Sequence, residues 1–278
     1  MLPNLIVIGA ARCGTTSLHR YLNLHPDIEM SPVKEPQFFN DWNWHRGLAW
    51  YEAQFPASAK VVGESSPTYT VHPAHPHVPE RMASVVPDAK LIYLVRDPIE
   101  RLVSGYRFRR WILEREDRPL DEALADFETS VHVAASCYAM QLEQLFPHYP
   151  LERILVLEQR ALAERRIETL RRAFRFLEVD ESFHAQEFER NYNETEGLRA
   201  SAIGQKAIAL LDSTLGPRLS VRVRTHAPAF VTRPLQTRPQ VPDVALPDDL
   251  RERLLDYIKP DTERLRAYTG EAYADWST

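Results

Sequence analysis

Four stretches of adjacent apolar residues punctuate the chain: Leu5–Ile8, Val61–Val62 running into Gly63-Glu64, Leu91–Val95 and Ile154–Leu157. Short unbroken runs of this kind predict strands buried on both faces of a parallel sheet. Helical patterns lie between them. Leu18, Tyr21 and Leu22 stand at i, i+3 and i+4 behind a hydroxyl run, and His25-Pro26 closes that helix because the residue before proline is pushed out of the α region. Met30–Phe39 reads as a loop. After the third run, Asp97-Pro98-Ile99-Glu100 is a helix start: an N-cap, a proline suited to the first turn and a capping-box glutamate. Further helices are predicted over 120–146, with a break near Ser130, over Leu162–Leu177, and over Asp248–Ile258 and Asp261–Tyr268, stopped by Gly270. Residues 216–246, rich in Pro and Arg, are expected to form an ordered lid or substrate loop. The alternation predicts an α/β chain, one domain over residues 1–278, with a central parallel sheet of about four to five strands flanked by helices. Ligands of such sheets bind at the carboxyl ends of the strands, which sets Arg12, Glu64, Arg96 and Glu158 on one rim.

Composition narrows the function classes. Hydrophobic residues at 44% and charged residues at 26% are ordinary for a soluble globular chain of 278 residues. A net charge of −5 argues against nucleic acid as the main partner. Cys13 and Cys137 are too few for a disulfide scaffold, and the N-terminal apolar run is too short for a signal segment or membrane span. A cytoplasmic enzyme is the expectation. His72, His75 and His77 are interrupted by prolines and lack a Cys or carboxylate to complete a ligand set, so no metal site is expected.

The candidate chemistry begins at Gly9-Ala-Ala-Arg12-Cys13-Gly14-Thr15-Thr16-Ser17. A strand, a glycine-bounded turn and a helix N-terminus converge backbone N–H groups on an anion. The turn is P-loop-like, and the fold is expected to be of the three-layer P-loop-like type. Thr15 stands where a triphosphate loop carries its Lys, however, and the loop's cation is Arg12. A second anion-seeking feature, Arg96 with the capped helix bearing Ser104, lies on the same rim. Two separated anion sites suit a nucleotide phosphorylated at both ends.

These stretches, together with Lys34-Glu35-Pro-Gln-Phe-Phe39 and Leu94-Val-Arg-Asp-Pro-Ile-Glu-Arg-Leu-Val-Ser-Gly-Tyr106, resemble the signatures of sulfotransferases that use 3′-phosphoadenosine 5′-phosphosulfate (PAPS). The nearest likeness is to the heparan sulfate branch and its bacterial-type relatives. The similarity runs in collinear order through Glu64-Ser-Ser-Pro-Thr-Tyr69 and Cys137–Leu142 to the tail around Leu265–Trp276. It implies sulfuryl transfer to a hydroxyl or amine of a carbohydrate or small molecule, releasing adenosine 3′,5′-bisphosphate without a metal. It also implies roles: Arg12, Cys13, Gly14, Thr15, Thr16 and Ser17 around the 5′-phosphosulfate, Arg96 and Ser104 at the 3′-phosphate, and Arg224 in a closing loop. Glu35 is the implied general base and Arg12 the residue that stabilises the leaving phosphate. The family's relatives often carry Lys where this chain has Ser65, so that work would be shared or fall to Lys34.

The bland reading of Glu35 is a loop carboxylate paired with Lys34, and His19 and His45 are rival bases. Two rival functions are a small-molecule kinase using ATP and Mg²⁺, with Asp97 as metal ligand, and a regulatory module that binds the nucleotide and transfers nothing.

Overall fold

Strand β1 (Leu5–Gly9) is buried along its whole length, as four adjacent apolar side chains require of a sheet covered on both faces. The computed structural model describes residues 1–55, 59–190, 192, 199–200, 236–237 and 241–278. Around β1 lie β2 (Ile28–Met30), β3 (Val61–Ser65), β4 (Lys90–Val95) and β5 (Ile154–Glu158). They form a five-stranded sheet in the order β2-β3-β1-β4-β5, and each neighbouring pair is parallel. Register is fixed on both sides of β1, with Leu5 opposite Gly63 and Lys90. β2 lies ahead of the loop predicted over Met30–Phe39, shares only Met30 with it, and is a strand the sequence does not predict. Three residues are too short a run for periodicity to reveal, and the strand exists because Ile28 pairs with Val61. The chain leaves β1 toward β2 and leaves β4 toward β5. Connections therefore diverge above the β1–β4 neighbours, which is where such sheets open a ligand crevice.

Helices flank the sheet. They are α1 (Thr15–Leu22), α2 (Leu48–Glu52), α3 (Val78–Val85), α4 (Pro98–Arg107), α5 (Leu120–Ala123), α6 (Val131–Ala134), α7 (Tyr138–Glu143), α8 (Gln159–Glu164) and α9 (Arg166–Phe176). α1 buries Leu18, Tyr21 and Leu22, the predicted stripe. The helical stretch predicted over 120–146 breaks near Ser130 as expected and again before Tyr138, giving three short helices. Between the first two, Asp126 accepts the Glu128 amide (2.9 Å) and the Thr129 hydroxyl (2.8 Å), a local turn that outcompetes helix. The helix predicted over Leu162–Leu177 is likewise divided, at Arg165.

The two predicted C-terminal helices are one, Asp248–Thr269, with Pro260 inside it and Gly270 ending it at φ 69°. Proline within a helix costs about 3 kcal/mol. Packing offsets that cost: Leu254, Ile258 and Leu265 are fully buried, and the Asp261 carboxylate takes the Ala139 (3.0 Å) and Met140 (2.9 Å) amides at the start of α7.

The described chain divides into two compact units, one of Met1–Tyr106, Arg118–Asn193 and Ala245–Thr278, the other of Arg107–Asp117 and Glu194–Val244. The first holds the sheet. The second contains a π-helical turn (Phe108–Ile112) and an antiparallel ribbon pairing Arg199 with Thr237. Within it Arg107 meets the Val241 carbonyl (3.2 Å) and Asp243 (3.3 Å). Among the described residues no helix is long and apolar enough to cross a membrane.

Candidate functional site

The turn after β1 is built by close approach. A Cβ on Gly9 would sit 2.0 Å from Thr70 Oγ1 and 2.8 Å from the Tyr93 ring, so no side chain fits there. Gly14 stands at the N-cap of α1 with φ 88°, and no side chain caps the helix. The first-turn N–H groups are thus left without a side-chain acceptor at the N-terminus, an arrangement that suits an anion. Thr15 and Ser17 are buried, and Thr16 is half-buried. Cys13 is turned into the core, its Sγ 3.7 Å from the Tyr138 hydroxyl, and burial pushes its thiol pKa up. It has the environment of a packing residue, not of a nucleophile. Arg12, in the left-handed region at φ 74°, donates from Nε to Ser104 Oγ at 3.2 Å.

That contact joins the loop after β1 to the helix after β4. At the start of α4, Asp97 Oδ1 accepts the Glu100 amide at 2.9 Å, as the capping sequence predicts, and Oδ2 takes the Ser277 amide. Both oxygens already serve backbone donors, which leaves Asp97 poorly suited to hold Mg²⁺ for a kinase. The Glu100 side chain turns instead to Arg96, which it meets at 2.7 and 2.9 Å. The Arg96 backbone is held twice by the Tyr138 hydroxyl, which accepts its N–H (3.3 Å) and donates to its carbonyl (2.9 Å). A cavity of about 280 Å³ opens beside Arg96, lined also by Glu100, Glu158, Arg160 and Trp276.

Sequence reasoning missed Arg101. It is buried, and it donates to the carbonyls of Ala11 (3.2 Å) and His132 (3.1 Å) and to Ser136 Oγ (3.2 Å), pinning the loop from behind. The signal was a cation between Ile99 and Leu102 on an otherwise core-facing helix.

The loop after β2 carries Glu35. Its amide donates to the Ser65 carbonyl at 3.1 Å, its Oε1 is paired with Lys34, and its Oε2 accepts from Gln37 Nε2 at 3.2 Å. The Lys34 pairing named by the bland reading is therefore present. Ser65 Oγ lies 2.9 Å from His19 Nδ1. Burial, then Lys34 and Arg20, lower the His19 pKa to about 4, so its imidazole is neutral near pH 7. His45 is exposed in the turn Trp44–Arg46. Glu64, at the end of β3, is fully buried.

Of the aromatic segment after the loop, Tyr51 and Phe55 belong to the core, Tyr51 stacked on Phe38 at 4.3 Å, whereas Trp42 is 45% exposed. His75 lies 3.8 Å from Asp41. Among the described residues no group of three or more His, Cys, Asp or Glu side chains is placed to hold a metal. Arg224 and most of the loop over 216–246 lie outside the described residues.

A glycine-bounded loop and an uncapped helix at the switch point of a parallel sheet define a phosphate-binding α/β protein of the P-loop-like class. The sulfotransferase domain family matches residues 2–203, and the chain belongs to that family, whose activity is PAPS-dependent sulfuryl transfer. It is 32% identical over 207 residues to heparan sulfate glucosamine 3-O-sulfotransferase 3B1 of Mus musculus, covering 71% of this chain and 51% of the relative. The chain thus spans about half the length of that curated relative. A crystal structure of a sulfotransferase from Alicyclobacillus acidocaldarius matches all of both chains with a TM-score of 0.68 at 24% identity. Mouse sulfotransferase SULT7A1, complexed with PAP, matches 96% of this chain and 88% of its own at a TM-score of 0.53 and 11% identity. Those two likenesses are of fold.

Proposed function

We propose that this chain moves the sulfuryl group of PAPS to a hydroxyl or amine of a carbohydrate or small-molecule acceptor and releases adenosine 3′,5′-bisphosphate. The observation that carries the reading is the Arg12–Ser104 contact across the β1–β4 crevice, which joins the loop before an uncapped helix N-terminus to the helix that follows Arg96. Bound there, PAPS supplies a sulfuryl group already activated on its 5′-phosphate. The loop amides from Arg12 to Ser17 hold the 5′ end, and Arg96 and Ser104 hold the 3′-phosphate. Arg224 is assigned to closure over the nucleotide. Arg12 keeps its proton at all working pH values, so it stabilises charge on the leaving phosphate and donates no proton. Glu35, with its two oxygens directed by Lys34 and Gln37, takes the proton of the acceptor.

A sulfuryl group carries less negative charge than a phosphoryl group, and the loop donors with Arg12 and Arg96 supply the compensating charge, so the reading needs no metal. The relatives named as heparan sulfate sulfotransferases support a sugar acceptor. The test is transfer of radiolabelled sulfuryl from PAPS to a panel of sugar and phenol acceptors in the presence of a chelator. Hydrolysis of ATP with Mg²⁺ and no sulfuryl transfer would overturn the reading. Glu35→Gln should lower turnover by about 100- to 10,000-fold while leaving bisphosphate affinity within about threefold. Wild-type turnover in that variant removes Glu35 as the base.

A further inference from the structure

Glu64 is a buried carboxylate that the reaction as outlined does not use. Three hydroxyls donate to it: Tyr51 (2.6 Å) and Tyr69 (3.0 Å) to Oε1, and Ser66 (2.5 Å) to Oε2. Two of these hydroxyls face the loop that bears Glu35. Ser66 Oγ accepts the Gln37 amide at 3.0 Å, and the Tyr69 hydroxyl accepts the Phe39 amide at 3.3 Å. Between those anchors and the Ser65 carbonyl, Glu35 and Gln37 are both held in the left-handed region, at φ 62° and 49°. Non-glycine residues keep that conformation only where their surroundings impose it.

The direction of these hydrogen bonds follows from elementary chemistry. Above about pH 7, where Glu64 is ionised, its carboxylate can only accept, so each hydroxyl spends its single hydrogen on Glu64 and turns a lone pair to the loop. A neutral amide in the same place could donate instead. That would rotate a hydroxyl and set its hydrogen against a loop N–H. A carboxylate here is also an expensive way to fill space, since burial and the nearby negative charge of Glu35 both oppose its ionisation. A purely packing role would be better met by an uncharged side chain.

We infer that Glu64 is a positioning residue for the transfer reaction: through Ser66 and Tyr69 its carboxylate fixes the Gln37 and Phe39 amides and thereby holds Glu35 in the conformation that presents it on the rim. This rests on the assignment of Glu35 as the base.

Glu64→Gln in the full chain tests it at about pH 8, where a carboxyl that titrates at about 7 is mostly ionised. The Gln37 and Phe39 amides should exchange with deuterated solvent at least about tenfold faster. Turnover number should fall on the order of 100-fold, while bisphosphate affinity stays within about threefold and the urea midpoint stays at or above that of the wild type. Ser66→Ala should speed exchange at Gln37 and leave Phe39 within about twofold, with a smaller loss of turnover. Unchanged exchange in Glu64→Gln, unchanged turnover, a lost urea transition, or bisphosphate affinity falling in step with turnover each overturns the inference. Should Glu35→Gln retain full turnover, the base assignment fails by itself, and the exchange rates still decide whether Glu64 holds the loop.

Discussion

Burial raises the Glu64 carboxyl to about 7, against three hydroxyls that hold it down, while burial with the charges of Lys34 and Arg20 lowers His19 to about 4. The two groups lie on either side of Ser65, and their linkage to stability has opposite signs. The folded chain keeps the Glu64 proton that the unfolded chain releases near 4.5, so this group's contribution falls as pH rises from 4.5 to about 7. The unfolded chain binds a proton at His19 near 6.5 that the folded chain refuses until about 4, so this contribution falls as pH drops through that window. A displacement of that size is worth on the order of 3 kcal/mol for each group. The slopes cancel over most of their common range. Removing one partner should expose the other: relative to wild type, Glu64→Gln should gain stability as pH rises through this range, and His19→Gln should lose it. Urea unfolding at intervals between about pH 4 and 8 reads both. Difference profiles that are level, or that share one sign, would show that these side chains are not held in the environments described.

Asp261 shows how an element can escape its own sequence. Lys259-Pro260 reads as a helix boundary, and the helix continues because Asp261 is buried and clamps the first amides of α7. Asp261→Ala leaves two buried N–H donors without that acceptor and should cost about 2 kcal/mol or more in chemical denaturation. A cost below about 0.5 kcal/mol would assign the continuity to apolar packing alone. The same contrast explains what was legible elsewhere. Strands β1, β4 and β5 were readable because each is an uninterrupted apolar run, and the start of α4 because Asp97-Pro98 caps it by local chemistry. β2 and the divisions before α7 and between α8 and α9 depend on pairing partners and local turns that no periodicity records, whereas the break near Ser130 was expected. At the site, the glycine-bounded loop was readable from its residue types, whereas Glu35 entered only through the family resemblance. Arg101 and the His19–Ser65 contact were not readable, because each acts through a neighbour far away in sequence, and Glu64, expected on the open rim, is fully buried beneath its hydroxyl partners.

At the scale of the whole fold, the strand order brings two loops of distant sequence origin to one crevice, and the site consists of what those loops share. Arg12 reaches Ser104 across it, and Arg101 ties the carbonyl of Ala11 to that of His132. In the proposed function each loop holds one end of the nucleotide, and Arg96 tests that division. Its guanidinium rests on Glu100, but both side chains are partly exposed, at 28% and 60%. A pair so open to water is worth about 1 kcal/mol or less and does not hold Arg96 against a phosphate. A charged hydrogen bond to that phosphate is worth roughly 1.5–3 kcal/mol. Arg96→Ala should therefore weaken adenosine 3′,5′-bisphosphate by about 10- to 100-fold in calorimetry, while adenosine 5′-monophosphate, which lacks the 3′ group, changes by less than about threefold. Glu100→Ala should move bisphosphate affinity the other way, because it removes a negative charge and frees the guanidinium. Equal losses for the two nucleotides in Arg96→Ala would mean that Arg96 supports the crevice as a whole and that the 3′-phosphate is held elsewhere.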